Sequence, residues 1–266
     1  YSSLNLSLGY YYQAFSQGAE PREGSVVAPV YHNERPSRAR TLAIGYEREL
    51  NEYYTYSIEA YYRKFDDLVE IRTDVSYPTF QSGTGNTVGI DMLVRKELGE
   101  FTFQLGGTLQ RNRVSFNDEM YAPDWDTPYA FNGLAEYGFN SHWAVNTQMT
   151  FQSGTPYTPV LEKYMVFLDP REGHDFDEME FMFKYGEKNS ARLSDYFRLD
   201  LGVQRDGRWR RYEYTVYFQV LNVLNTGNII RYNWYDYYYS QAQGSDDAGE
   251  VEALPVIPSL GITVSF

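Results

Sequence analysis

The chain contains no cysteine, which excludes disulfides, thiolate metal sites and a cysteine nucleophile, and leaves its redox compartment unread. It has only three histidines, and none stands in an HExxH or mixed Cys/His spacing. Long apolar runs are missing too. With no stretch of about 18 apolar residues and a mean hydropathy of −0.54, a transmembrane helix is excluded. A membrane is not, because a transmembrane barrel places apolar residues only at alternate positions. Positive charge is scarce: Lys+Arg 23 against Asp+Glu 36 leaves a net charge of −13. Such a field repels phosphate backbones, so no nucleic-acid partner is expected.

What the chain has in excess is aromatic residues. Tyr 27, Phe 16 and Trp 4 make up 18% of 266 residues, and such side chains favour β-sheet surfaces. The stretch LNLSLGYYYQA (4–14) alternates with period 2, with Leu4, Leu6, Leu8, Tyr10 and Tyr12 on one parity and Asn5, Ser7, Gly9 and Gln13 on the other. Nine further segments alternate in the same way. Their apolar sets include Leu42, Ile44; Ile58, Tyr62; Val88, Ile90, Met92; Leu105, Leu109; Phe131, Tyr137; Val145, Phe151; Phe197, Leu201; Val216, Phe218; and Ile262, Val264. Leu93, Leu134, Tyr217 and Thr147 break the pattern.

Alternation alone fits a soluble sandwich as well as a membrane barrel. Connection lengths decide between them. Short turns near 50–53, 97–100, 140–142 and 205–209 alternate with long connections at about 15–38, 66–86, 113–128, 154–191 and 225–255. Short turns on the periplasmic side and long loops on the outside are the rule for outer-membrane barrels. Aromatic residues provide a separate criterion, because girdles form at both rims of the apolar band. Tyr54, Phe101, Phe139, Trp143, Tyr212 and Phe266 fall at the short-turn ends of their strands, and Tyr12, Tyr62, Phe131, Phe151 and Phe197 at the opposite ends. The expected fold is all-β, an antiparallel up-and-down transmembrane β-barrel wall of about ten strands, each about 9 to 14 residues long.

Several stretches resemble known proteins. SLGITVSF at the C-terminus, with Leu260, Ile262, Val264 and Phe266 on one face, resembles the membrane-insertion signal of bacterial outer-membrane proteins. YFRLDLGVQ (196–204), YFQVLNVLNTGN (217–228) and FQSGTPYT (151–158) look like the last strands of TonB-dependent receptors, particularly those of the Bacteroidota, and residues 35–70 are similar to a more interior hairpin of the same barrels. The resemblance implies a 22-stranded barrel around a plug, in the outer membrane of a Gram-negative bacterium. Residues 1–266 would then be its C-terminal part, with the plug and the earlier strands outside this chain. Implied partners are outer-membrane lipid and lipopolysaccharide, TonB and the inner-membrane motor acting through the missing N-terminal part, a small-molecule nutrient, and a surface lipoprotein.

No catalytic constellation emerges. His142 begins a strand beside Trp143 without a Ser or Thr partner for acyl chemistry. GTGNTVG (83–89) leads into a strand and lacks the helix N-terminus that a phosphate cradle needs. The acidic loop 162–188 does not have EF-hand spacing. No catalytic residue, metal ligand or cofactor is expected. The candidate ligand-binding residues are loop aromatics, Trp125, Tyr157, Trp234, Tyr235, Tyr237 and Tyr238, suited to stacking on a flat or sugar-like ligand. On the polar parity, Glu59, Arg63, Asp91, Arg95, Gln148, Arg198 and Asp200 are expected to face the lumen. Two functions remain: a barrel for TonB-energised uptake of a scarce nutrient (siderophore, cobalamin, oligosaccharide or peptide), or a non-transporting barrel acting as an adhesin or as the scaffold of a surface complex.

Overall fold

A computed structural model describes residues 1–13, 36–72, 79–167, 179–233 and 249–265. The strands, in chain order, are β1 (Ser2–Gln13), β2 (Ser37–Glu49), β3 (Tyr54–Arg72), β4 (Thr79–Lys96), β5 (Phe101–Phe116), β6 (Glu119–Tyr121), β7 (Tyr129–Asn140), β8 (Trp143–Gln152), β9 (Pro156–Tyr157), β10 (Val160–Phe167), β11 (Met179–Tyr185), β12 (Ala191–Arg192), β13 (Tyr196–Trp209), β14 (Tyr212–Leu221), β15 (Ile229–Asn233), β16 (Gly249–Glu252) and β17 (Ile257–Ser265). One antiparallel sheet runs β1-β2-β3-β4-β5-β7-β8-β13-β14-β17, with β6 added to the end of β5. The order is sequential throughout. β1 and β17 pair with no further strand among the described residues, so the wall is open at both edges.

Register brings the apolar parities together. Leu8 pairs with Leu42, Leu42 with Tyr62 and Tyr62 with Val88; further on, Phe131 pairs with Phe151, Phe151 with Phe197, and Val216 with Ile262. Directly paired residues share a face, so a one-residue slip anywhere would turn a strand's apolar set over. This face is bare: Leu8, Leu42, Val88, Leu201 and Ile262 are exposed by 76%, 47%, 53%, 45% and 65%. The opposite face carries the polar parity and is the better covered, with Ala43, Tyr61, Thr87, Asn112 and Asp200 all buried. An aqueous sandwich would have these burials reversed.

Two of the short turns use one device. Asn51 Oδ1 accepts hydrogen bonds from the Tyr53 and Tyr54 amides, and Asn140 Oδ1 accepts from those of His142 and Trp143. The last short turn falls at 210–211 rather than within the expected 205–209, because Asp206–Trp209 continue β13 and pair with Tyr212–Thr215.

The other end departs further from expectation. β3, β4 and β5 have 19, 18 and 16 residues, exceeding the expected 9 to 14. Residues 66–86, expected to form a loop, are largely strand. A bulge at Asp66–Asp67, with Asp67 at φ 56°, shifts the register between Phe65 and Leu68, after which β3 and β4 pair to Arg72 and Thr79. β5 turns into β6 through Asn117 and Asp118, both at positive φ (50° and 65°), a two-residue hairpin turn these side chains tolerate. The connections expected at 154–191 and 225–255 also carry structure, with pairs β9/β12, β10/β11 and β15/β16.

Candidate functional site

The described parts of the connections after β5 and after β8 fold back onto the polar face at the end opposite the short turns. Thr87 Oγ1 donates to Asn112 Oδ1 (2.5 Å), and Asn112 Nδ2 donates to Asp126 Oδ1 (2.9 Å). Arg192 completes the chain, donating to Asp126 Oδ2 (2.5 Å), to the Asp126 carbonyl (2.9 Å) and to the Gly154 carbonyl (2.6 Å). Asp126 is 1% and Asn112 0% exposed, so a buried carboxylate is held by a guanidinium and an amide, as its desolvation requires. The FQSGTP stretch contributes close approach. A Cβ on Gly154 would clash with the Leu193 carbonyl oxygen, so only glycine lets these two segments meet.

A second cluster lies past the bulge in β3. Tyr121 donates to both Glu70 oxygens (3.0 Å each), and Lys188 forms an ion pair with Glu70 and stands 4.6 Å above the Tyr121 ring. Burial and the Glu70 carboxylate push the Tyr121 phenol up, against the opposing effect of Lys188. Burial acts to lower Lys188, but its bonds to Glu70 and Tyr121 outweigh that and leave it raised.

The LNVLNTGN stretch organises the third cluster. Asp200, 1% exposed, is gripped by Arg198 (2.7 to 3.0 Å) and accepts the Asn222 amide (2.8 Å). Asn222 Nδ2 donates to the Thr226 and Leu254 carbonyls. Beyond the end of β14, Asn228 accepts the Phe197 amide (2.8 Å) and donates to the Phe197 carbonyl (2.9 Å), so a side chain continues the ladder that the backbone has left.

All seven polar-parity candidates, Glu59, Arg63, Asp91, Arg95, Gln148, Arg198 and Asp200, lie on the face opposite the apolar one. Glu59 pairs across the ladder with Asp91, which accepts from Thr108 (2.8 Å). Arg63 stacks over Tyr61 at 4.5 Å, Arg95 reaches Glu97 at 3.0 Å, and Gln148 pairs with Asp200. Of the ligand-binding candidates, Trp125 is 56% exposed in the segment before β7, and Tyr157 packs against Tyr232 with ring centroids 5.1 Å apart. Trp234, Tyr235, Tyr237 and Tyr238 lie outside the described residues. Leu260, Ile262 and Val264 line the exposed apolar face of β17, and Phe266 is outside the described residues. Among the described residues no three His, Asp or Glu side chains converge to hold a metal ion.

Sequence reasoning missed Asn112, Asp126, Arg192 and the Glu70–Tyr121–Lys188 cluster. The PDWDTP run (123–128), dense in turn-forming residues, was the available signal for Asp126.

No protein-family model matches the chain, and no curated protein matches it. Solved structures do. The ferripyoverdine receptor of the outer membrane of Pseudomonas aeruginosa aligns with a TM-score of 0.57 at 14% identity, over 99% of this chain and 30% of its own. The ferric-catecholate import receptor Fiu of Escherichia coli K12 gives 0.60 at 13% over 99% and 32%. The outer membrane transporter YddB of Escherichia coli gives 0.60 at 10% over 98% and 38%. The chain therefore has the fold of part of these outer-membrane barrels and spans about a third of their length.

Proposed function

We propose that this chain is the C-terminal portion of the barrel wall of an outer-membrane receptor that imports a scarce nutrient with energy delivered through TonB. The observation that carries this reading is the in-register sheet of ten sequential strands, with one face bare and apolar and the other polar and covered by folded connections. Hydrocarbon is the solvent that suits such a face. The open edges at β1 and β17 support the view that further strands complete the wall, since unpaired backbone in a bilayer costs several kcal/mol per group, on the order of the desolvation penalty. The short turns then face the periplasm, and the connections carrying Trp125 and Tyr157 face outside, above a lumen lined by Glu59, Arg63, Asp91, Arg95, Gln148, Arg198 and Asp200. The N-terminal part of the full-length protein supplies a plug and the TonB-contacting segment. Ferric chelates are the first ligands to test, because two of the structural relatives above are described as receptors for them.

The test is uptake by the full-length receptor after trimming its outer connections. Removing residues 160–185 spares the β9/β12 pair and Arg192, and replacing 229–252 by a short linker spares Asn222 and Asn228, so the wall keeps its supports. Growth on a panel of ferric chelates under iron limitation should fail in both variants while heat-modifiable migration of the barrel persists. Uptake surviving both deletions, or a full-length protein with no plug, overturns import in favour of a surface scaffold.

A further inference from the structure

The bare face is not apolar everywhere. At the end opposite the short turns, Arg40 pairs with Lys64, Lys64 with Asn86 and Asn86 with Arg113, so these four side chains form one row across β2, β3, β4 and β5. Arg38 stands one pleat further out and Arg111, opposite Val88, one pleat nearer the centre. Two carboxylates share the patch: Asp67 holds Arg38 at 2.7 Å and Asp66 holds Arg40 at 2.6 Å. Lys64, Arg111 and Arg113 pair with no carboxylate among the described residues. Five cations against two anions leave an excess of three positive charges on four adjacent strands, in a chain whose net charge is −13.

Directly beneath the row the same face is hollowed. Ala60 pairs with Ile44 on one side and Ile90 on the other, and its short side chain leaves a trough of about 600 Å³ walled by Leu42, Tyr62, Val88 and Leu109, with Arg111 at its upper edge. Cations above an apolar trough match a ligand with anionic groups at one end and hydrocarbon at the other. Tyr10 and Tyr12, paired with Arg40 and Arg38, set the row at the depth where amphipathic rings mark a membrane interface.

Among the described residues, other parts of the face lack this combination. At the short-turn end the basic side chains stand singly on β2, β4 and β13: Arg48 stands opposite Tyr56 across the ladder, Lys96 lies 5.6 Å from the Phe101 ring and Arg205 5.4 Å from that of Trp143. A second trough of about 600 Å³, lined by Leu105, Phe131, Met149, Phe151 and Phe197, is topped by stacked rings rather than cations.

We propose that the exposed face of β2–β5 is a binding site for a phosphorylated, acylated glycolipid of the outer leaflet, the lipid A portion of lipopolysaccharide. Its phosphates bind Lys64, Arg111, Arg113 and Arg40, and one acyl chain lies in the trough over Ala60. Guanidinium and ammonium groups bind phosphate oxygens through charge-assisted hydrogen bonds. The proposal rests on the outer-membrane reading above and adds to it a defined lipid and place.

The test uses the full-length protein extracted in detergent, with lipid adducts measured by native mass spectrometry. The probes are bisphosphorylated lipid A, its dephosphorylated form and inorganic phosphate. The variant K64Q/R111Q/R113Q should bind bisphosphorylated lipid A about tenfold or more weakly, the loss of a single charge-assisted bond being enough for that. A60F should weaken both lipid forms, and K96Q/R205Q should change binding less than about twofold. Unchanged binding in the triple variant, an equal loss in K96Q/R205Q, or competition by inorganic phosphate at matched concentration overturns the site. Outer-membrane fractionation and heat-modifiability are scored on every variant. A protein that never enters the outer membrane refutes the receptor reading, whereas normal insertion with unchanged lipid binding refutes the lipid site alone.

Discussion

An arginine placed at position 201 separates a lipid-facing wall from a water-facing one. Leu201 is 45% exposed on the apolar face and pairs with Thr147 and Val220. It stands four residues from Phe197, in the aromatic row at one rim, and four from Arg205, which packs on Trp143 at the other. At about 3.4 Å per residue this is about 14 Å along the strand to either rim, or about 10 Å of depth at a tilt near 40°. That centres Leu201 in an apolar band about 25 Å tall. A guanidinium on a fully extended side chain does not reach water from there, so Leu201→Arg should cost about 2 to 4 kcal/mol, the penalty for arginine at a midplane. Val216 stands four residues from Tyr212, at the short-turn end of β14, so by the same measure Val216→Arg should also cost about 2 to 4 kcal/mol. Gln148→Arg, on the polar face beside Asp200, should cost less than Leu201→Arg. The assay is refolding of the full-length protein into lipid vesicles against denaturant, followed by tryptophan fluorescence and heat-modifiability. Equal costs at 148 and 201 would refute the lipid-facing assignment.

Three further outcomes are expected. Asp126→Asn should destabilise the folded connections by about 3 kcal/mol, the low end for breaking a buried pair because Arg192 keeps some contact with water; limited proteolysis between 119 and 129 should accelerate while the barrel persists in detergent. Asn228→Ala removes two bonds to Phe197 and should cost about 1 to 2 kcal/mol, seen as faster amide exchange at Phe197 with exchange at Leu201 unaffected. The Glu70–Tyr121–Lys188 cluster should hold through neutral pH and loosen in alkali. Both titrating groups are raised, so the folded protein keeps protons that the unfolded chain releases, and stability falls as pH rises past the ordinary tyrosine and lysine values. Wild type should therefore become protease-sensitive at residue 188 at high pH, and a Tyr121→Phe/Lys188→Met variant should lose that dependence.

The bare apolar face was legible because one local rule produces it. A strand against hydrocarbon on one side needs only an apolar residue at every second position, and Leu42, Ile58, Ile90, Leu201 and Ile262 satisfy that rule without reference to any other strand. The polar side has no such rule. Thr87, Asn112, Asp126 and Arg192 sit on three strands and a connection, and they meet only because the chain at 122–128, 153–159 and 186–195 folds back over the sheet. Nothing in the spacing of four such residues marks them as neighbours. Glu70 shows how period counting fails at a single residue. By parity with Ile58 and Tyr62 it belongs on the apolar face. The bulge at Asp66–Asp67 inserts a residue against β4, so that Leu68 falls opposite Gly83 and Glu70 opposite Gln81 on the polar side, where Tyr121 and Lys188 meet it. The bulge also releases Asp66 and Asp67 to pair with Arg40 and Arg38 on the other face. One inserted residue thus ends the apolar pattern where the basic row begins, and it directs the next carboxylate of β3 toward the connections that cover the polar face.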